Sequence, residues 1–412
     1  MPDDIKSPKL KPEKQKAETF KSPEETALNE SAPPEVPSEQ KMFNQPKKHG
    51  LSINWSRLAK KQKILIIAGS SLLVMVIIGG VVLLTHHRPP APTAAIVVQK
   101  PKPKPVPPPV SKLTGLPIKD AAINQKPVTG VMIENSVAAR PQSGLQAAGV
   151  VFEALAEGGI TRFLALFQAG STPNYIGPVR SLRPYFLQWD MGFDAPIAHV
   201  GGSPQALSDV NAWHAKDLNQ FYNPSGYHRI ASRYAPHNDY TSLNALNKLE
   251  SQKHFTTSKY SAFPRLKNPQ PAAAPSAGHI SLNLSYADYN DSYTYNQKAN
   301  NYARFEAGRP HLELTKSGAK VPIAPKIVIA IVVPRSNGAL DSSGAYYSIY
   351  PTIGGAAADV FQNGTVTKGS WQKASRSGQI TFQNTSGQPI KLDPGQTWIT
   401  AVSDAGQISY KP

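Results

Sequence analysis

One uninterrupted apolar run, Ile64 to Leu84, limits what this chain can be before any other feature is considered. ILIIAGSSLLVMVIIGGVVLL carries no charge over about 21 residues, and about 20 residues of helix span the apolar core of a bilayer. A buried core helix would show a polar face, and a cleaved signal peptide would place a shorter apolar region nearer the N-terminus. The run is therefore expected to be an uncleaved transmembrane helix at 64–84, with the lipid bilayer as its partner. Lys47, Lys48, Arg57, Lys60, Lys61 and Lys63 precede it, and only Arg88 follows closely. The positive-inside rule then puts the N-terminus in the cytoplasm and the larger C-terminal part outside, in a single-pass arrangement.

The flanks divide the rest of the chain. Residues 1–50 are rich in Lys, Glu, Pro, Ser and Gln and nearly lack aromatics, so they cannot bury enough apolar surface to offset the entropy of ordering. A disordered cytoplasmic tail is expected there. The segment 89–111 contains KPKPKPVPPPV, a composition that favours polyproline II and a semi-rigid stalk. From 112 to 262, short β-type runs alternate with helical ones, which predicts an α/β domain. In it VVFEALAEGGITRFLALFQ forms two strands joined at Gly158-Gly159. A two-residue loop would place Phe152, Ala154, Ala156, Thr161, Phe163, Ala165 and Phe167 on one face, with Glu153, Glu157 and Arg162 on the other. PVRSLRPYFLQWDMGF reads as a helix with Pro184 near its start, and Ser203-Pro204 as an N-cap and first helical residue. A Pro/Ala-rich linker spans 263–278. The segment 279–412 holds short strands separated by Asn-Gly, Ser-Gly and Pro-Gly turns, so a smaller, mainly-β domain follows. The fold class expected is thus α/β (mixed α+β) followed by mainly β, behind one membrane helix.

Charge and cysteine content restrict function. The formal charge is +17, and residues 1–63 hold 13 basic and 9 acidic side chains, so most of the excess lies beyond the membrane helix. An exported basic domain suits anionic envelope polymers, anionic lipid headgroups or nucleic acid, of which a cell-wall polymer is expected and nucleic acid is not. The chain has no cysteine, which excludes disulfides, thiol nucleophiles and Cys-based metal sites.

Several runs carry a resemblance. ENSVAARPQSGLQAAGVVFEALAEGGITRFLALFQ, IGPVRSLRPYF, HVGGSPQAL and RYAPHN, followed by GSWQKASRSGQITF and LDPGQTWITAV, resemble the YerB-like bacterial lipoproteins over roughly residues 112–404. The resemblance implies an envelope protein with two successive domains and supplies no activity. The family's lipidated cysteine is absent here, with a transmembrane helix in its place.

Polar residues of the first domain concentrate in those runs. Arg140, Glu153, Glu157, Arg162, Arg180, Arg183, His199, Gly201, Gly202, Ser203, Arg233, His237 and Asn238 are candidates for one cleft. The strand–GGSP–helix junction offers backbone N–H groups to an anion, and arginines give bidentate recognition of phosphate or carboxylate. Glu153, Glu157 and His199 are the candidates for acid–base chemistry. Four residues apart on extended strands is about 13 Å, long for a carboxylate pair, so pairing with Arg162 competes with that role. GGSPQ is not a nucleophile elbow, and Ser203 is expected to be occupied as a cap. His199, His237 and Asp239 lack any metal-motif spacing, and neither a metal nor a cofactor is predicted. In the second domain Arg309, His311, Trp371 and Trp398 stand out, with both tryptophans expected in the core. Three functions fit: binding an anionic wall glycan or peptide, hydrolysing such a polymer, or recruiting other envelope proteins.

Overall fold

The computed structural model describes residues 59–86 and 107–412 except Thr172, with side chains throughout save at 84–86. The expected tail at 1–50 and most of the stalk lie outside the described residues. The chain forms two bodies, Met1–Pro101 and Lys102–Pro412.

In the first body, helix α1 spans Lys60–His86 and is long and apolar enough to cross a membrane. It has no sided character: among the described residues Ile64, Leu65, Leu72, Met75 and Leu83 are all exposed. Ser70 and Ser71 donate back to the carbonyls of Ile66 and Ile67, which meets their hydrogen-bonding need within the helix.

The second body begins with β1 (Val128–Glu134), β2 (Val150–Leu155), β3 (Thr161–Gln168), α2 (Pro184–Met191), β4 (Ile197–Ala198), α3 (Pro204–Ala212), β5 (Tyr227–Arg229), β6 (Asp239–Thr241) and α4 (Leu243–Gln252). The remainder is almost wholly strand. It comprises β7 (His279–Leu282), β8 (Asp291–Asn296), β9 (Asn301–Glu306), β10 (Arg309–Pro310), β11 (Leu312–Leu314), β12 (Lys320–Pro322), β13 (Ile327–Val332) and β14 (Ser336–Leu340). Then follow β15 (Tyr346–Ile349), β16 (Gly354–Gln362), β17 (Thr365–Lys373), β18 (Thr381–Asn384), β19 (Thr397–Val402) and β20 (Ile408–Lys411).

Nine of these strands form one mixed sheet in the order β18-β17-β16-β13-β19-β2-β3-β1-β4. The seam is the parallel pairing of β19 with β2, from Thr397 opposite Val150 to Thr400 opposite Glu153. The segments 112–262 and 279–412 therefore share one sheet, although their element content differs as expected. A physical reason is visible in β13 and β19. Ile327, Ile329 and Ile331 pack in one cluster and Val328 and Ala330 in the other, so both faces of β13 are buried. Strands apolar on both faces need cover on both sides and neighbours along both edges. The 263–278 segment is tied to the body as well, with Phe263 buried and Arg265 donating to the carbonyls of Leu113 and Asp393.

One face of the large sheet carries α2 and α3, and Phe152, Leu164, Tyr185, Phe186 and Trp189 fill that layer. The other face carries α4 and the antiparallel sheet β10-β9-β8-β7-β20, through Phe163, Leu246, Ile280, Tyr293, Tyr302 and Trp398. This corrects the expected single face of the hairpin. Gly158 and Gly159 do form the turn, with φ of 58° and 78°. Pairing runs Leu155 to Thr161 and Ala154 to Arg162, so the loop holds three residues, Glu157 to Gly159. One extra residue shifts register by one and exchanges the faces of the returning strand. Phe163, Ala165 and Phe167 consequently lie opposite in face to Phe152 and Ala154.

Helix α4 contributes a buried acid with a measurable consequence. Glu250 accepts from the Thr129 hydroxyl at 2.6 Å, and burial pushes its carboxyl up to about 7 against that hydrogen bond and Lys216. The folded state holds this proton more tightly than the unfolded chain. Stability is thus full below the ordinary carboxylate range and falls as pH rises toward 7. Glu250→Gln should remove that loss and gain about 1–3 kcal/mol at pH 8 with little change at pH 4, read by urea unfolding at both values.

Candidate functional site

Three ion-pair groups at one end of the strands β1 to β3 account for most of the predicted arginines. The first is centred on Glu157 in the hairpin loop. Its carboxylate meets Arg162 at 2.7 Å and Arg183 at 2.6 Å. Arg162 also donates to Ser181 O, Arg183 to Leu182 O, and Arg183 lies over the Tyr347 ring. Burial raises the Glu157 carboxyl, but Arg162 and Arg183 outweigh burial and hold it below the usual carboxylate range. A carboxylate so held is an acceptor in a structural pair, the opposite of what a general acid needs.

The second group is centred on Glu134 at the end of β1. His237 Nδ1 stands 3.0 Å from it, Arg180 Nε 3.6 Å, and the Ser136 hydroxyl donates at 2.8 Å. Arg233 closes the adjoining loop by donating to Ala138 O and Pro141 O. Asn238 accepts from Arg229, which also faces Asp239.

At the GGSP junction Ser203 caps α3 by accepting from Ala206 N, with Pro204 as the first helical residue, as expected. The backbone donors expected to cradle an anion are partly spent: Gly201 N donates to Asn219 Oδ1 and Ser203 N to Leu182 O. His199 is fully buried, with Nδ1 at 2.7 Å from Gly201 O and Nε2 at 2.9 Å from Asp217. His199, His237 and Asp239 thus face three different partners.

The third group is a buried network under the β19–β2 seam. Arg304 on β9 donates to Glu153 at 2.8 Å and Asp291 at 2.7 Å, and Trp398 Nε1 donates to Glu153. Glu306 takes Arg140 at 3.1 Å and the Asn135 amide. Oxygens of Glu153, Asp291 and Glu306 lie within 4.8 Å of one another, a spacing that could hold a cation. Here Arg304 supplies the positive charge to two of the three. His311 is held neutral, since burial and then Arg304 and Arg140 push its pKa well down. Burial raises the Asp291 carboxyl well above its usual range despite Arg304.

Beside Arg183 a groove of about 840 Å³ runs between the N-terminal ends of α2 and α3 and the β14–β15 hairpin. Tyr185, Trp213, Tyr347, Ile349 and Leu340 give it a mostly apolar lining, and Gln188, Gln205, Asp209 and Asp341 add polar groups. Leu340 and Ile349 are 55% and 51% exposed, so the hairpin presents apolar side chains to this space rather than to a core. Of the residues picked from the sequence, Arg183 and Ser203 line it. Trp371 does not: it is buried, with Nε1 on Val332 O.

The two halves of this body match the two domains of one family. Residues 113–256 match the N-terminal domain of the family described as "Protein of unknown function (DUF3048)", and 280–399 match its C-terminal domain. The chain is 33% identical over 302 residues to the putative lipoprotein YerB of Bacillus subtilis (strain 168), covering 72% of this chain and 87% of that protein. This chain belongs to the DUF3048 family. The crystal structure of YerB from Bacillus subtilis superposes with a TM-score of 0.62 at 29% identity, covering 74% of this chain and 99% of that one. The resemblance to YerB-like proteins expected from the sequence is thereby shown for both domains.

Four residues that organise these groups in the DUF3048 fold escaped sequence reasoning: Glu134, Asp217, Arg304 and Glu306. The signal for two of them is the alternation in NYARFE, which turns Tyr302, Arg304 and Glu306 inward together. An inward Arg and Glu on one strand face require buried partners.

Proposed function

We propose that this chain is a membrane-anchored extracytoplasmic binding protein whose groove beside Arg183 takes a peptide segment of the cell envelope. Ile64–Leu84 is the anchor, oriented by the basic residues before it, in the place of the lipid that a lipoprotein relative would use. The observation that carries the proposal is the groove itself, whose volume and mostly apolar lining with a few convergent polar groups match a ligand site. Apolar side chains of a peptide would contact Leu340 and Ile349. Arg183 stands at the edge already paired with Glu157, while Asp209 and Asp341 add carboxylates to the wall. Trp213 and Tyr347 favour a second occupant, a glycan strand, but guanidinium groups of Arg376 and Arg183 already cover a face of each ring.

The test uses the full-length protein in detergent micelles with two probes: intact cell-wall sacculi, and the same glycan stripped of peptide by an amidase. Sedimentation with intact sacculi and at least tenfold weaker binding to stripped glycan are expected, with Leu340→Asp plus Ile349→Asp reducing the former. Equal binding by that double variant would reject the groove, and equal binding to stripped glycan would reassign the occupant. A hydrolytic role has less support, because Glu153 sits in the buried network and Glu157 is held ionised between two arginines.

A further inference from the structure

A second cleft, of about 560 Å³, shares the β14–β15 hairpin with the groove but none of its lining residues. The Gly158-Gly159 turn, the loop after β7, the hairpin and the residues that follow β19 bound it. Two aromatic rings stand in it. Tyr286 and Tyr346 are 67% and 51% exposed, and neither carries another ring or a cation among the described residues. The groove differs in this respect, since guanidinium groups cover Tyr347 and Trp213. Gly159 makes room for the first ring: a Cβ there would stand 2.6 Å from Tyr286 Cε2. The Ser285 hydroxyl donates to Gly159 O, which holds the Tyr286 loop against the turn.

Hydrogen-bonding groups accompany the rings. Arg335 spends Nη1 on Asn337 Oδ1 at 2.9 Å and on Ser348 Oγ. Its Nε and Nη2, the Asn337 amide nitrogen, the Ser403 hydroxyl and both tyrosine hydroxyls have no hydrogen-bond partner among the described residues. Arg335 is also the one charged residue of the lining, too little positive charge for a polyphosphate. The aliphatic members, Leu155 and Leu284, are buried, so nothing here seats an aliphatic side chain of a peptide. What fits is a ligand of low charge with flat apolar faces and many hydroxyls. A sugar ring presents a C–H face to an aromatic ring, and its hydroxyls match fixed amide, guanidinium and hydroxyl groups.

We propose that this cleft binds a short glycan segment, with sugar rings on Tyr286 and Tyr346 and hydroxyl or acetamido oxygens on Arg335 and Asn337. The choice of an envelope glycan rests on the reading of the chain as an envelope-binding protein, whereas the site itself is independent of the groove. Two stacked rings and a few hydrogen bonds give weak affinity by themselves, so stripped glycan remains a poorer ligand than intact sacculi.

The probe is the tetramer of N-acetylglucosamine, titrated calorimetrically into full-length protein in a polyoxyethylene detergent, whose headgroup contains no sugar. The tetramer should bind, and Tyr286→Ser plus Tyr346→Ser, both at exposed positions, should weaken it at least tenfold while leaving the melting temperature unchanged. Leu340→Asp plus Ile349→Asp, which removes the apolar wall of the groove, should leave tetramer binding as it was, so failure of the groove and failure of this cleft are read separately. No heat from the tetramer at millimolar concentration, or equal binding by the double tyrosine variant, would overturn the assignment. Loss of tetramer binding in the groove variant alone would place the sugar in the groove and overturn it as well.

Discussion

Replacing Arg304 with methionine will destabilise the globular body by about 3–5 kcal/mol, because it strands buried carboxylates rather than because it removes attraction. Glu153 and Asp291 both lose their guanidinium partner, and each is nearly inaccessible to water. For a body of this size the loss corresponds to a fall on the order of 10 °C in melting temperature. Adding Glu153→Gln and Asp291→Asn to the Arg304→Met background should recover part of the loss, since neutral amides need no counter-charge. Scanning calorimetry of the wild type and the two variants checks this. A triple variant no more stable than Arg304→Met would show that stacking of the Arg304 guanidinium on Trp398, rather than the stranded carboxylates, sets the cost.

Glu157→Ala should cost a similar amount, about 3–5 kcal/mol at pH 7, because two largely buried guanidinium groups lose one shared carboxylate. The pH dependence gives the sharper test. The folded carboxyl titrates below its ordinary value, through Arg162 and Arg183 acting against burial. Its contribution is therefore fully present above the ordinary carboxylate range and is lost as pH falls through the lowered value. Wild type should lose stability on acidification from about pH 4.5 downward, while Glu157→Gln, already weaker at pH 7, should converge toward it in that window. Urea midpoints measured from pH 7 to pH 3 decide it. Parallel curves would mean that Glu157 is not the titrating group.

Local chemistry made part of this fold legible. Pro184 and the Ser203-Pro204 pair start α2 and α3 where their backbone preferences require. Asn363-Gly364 makes a two-residue hairpin, with Gln362 opposite Thr365. Gly158-Gly159 shows the limit of such signals. The diglycine located the turn, but the loop holds three residues and includes Glu157, which pairs with Arg162 across the loop and with Arg183 far from it in sequence. The joining of β19 to β2 was not legible either, because QTWITAV is compatible with burial in any sheet. Parallel partners so distant in sequence leave no local trace. Helix α4 and the strands β8 and β9 are rich in polar residues, so weak hydrophobic patterning hid them.

The candidate site divided in the same way. Arginines were legible as residue types, but their acidic partners at Glu134 and Glu306 came from elements whose faces were not assigned. The groove depends on the β14–β15 hairpin approaching α2 and α3, a long-range contact. Only Arg183 and Ser203 marked it from the sequence side.

The most direct measurement is site-specific photocrosslinking in living cells. A benzophenone amino acid placed at Ile349 in the full-length protein would report what occupies the groove. Covalent capture of envelope peptide at Ile349, identified by mass spectrometry, is expected, with none from the same probe at exposed Tyr234, away from the groove lining. Capture of nothing at Ile349, or of the same material from both positions, would contradict it.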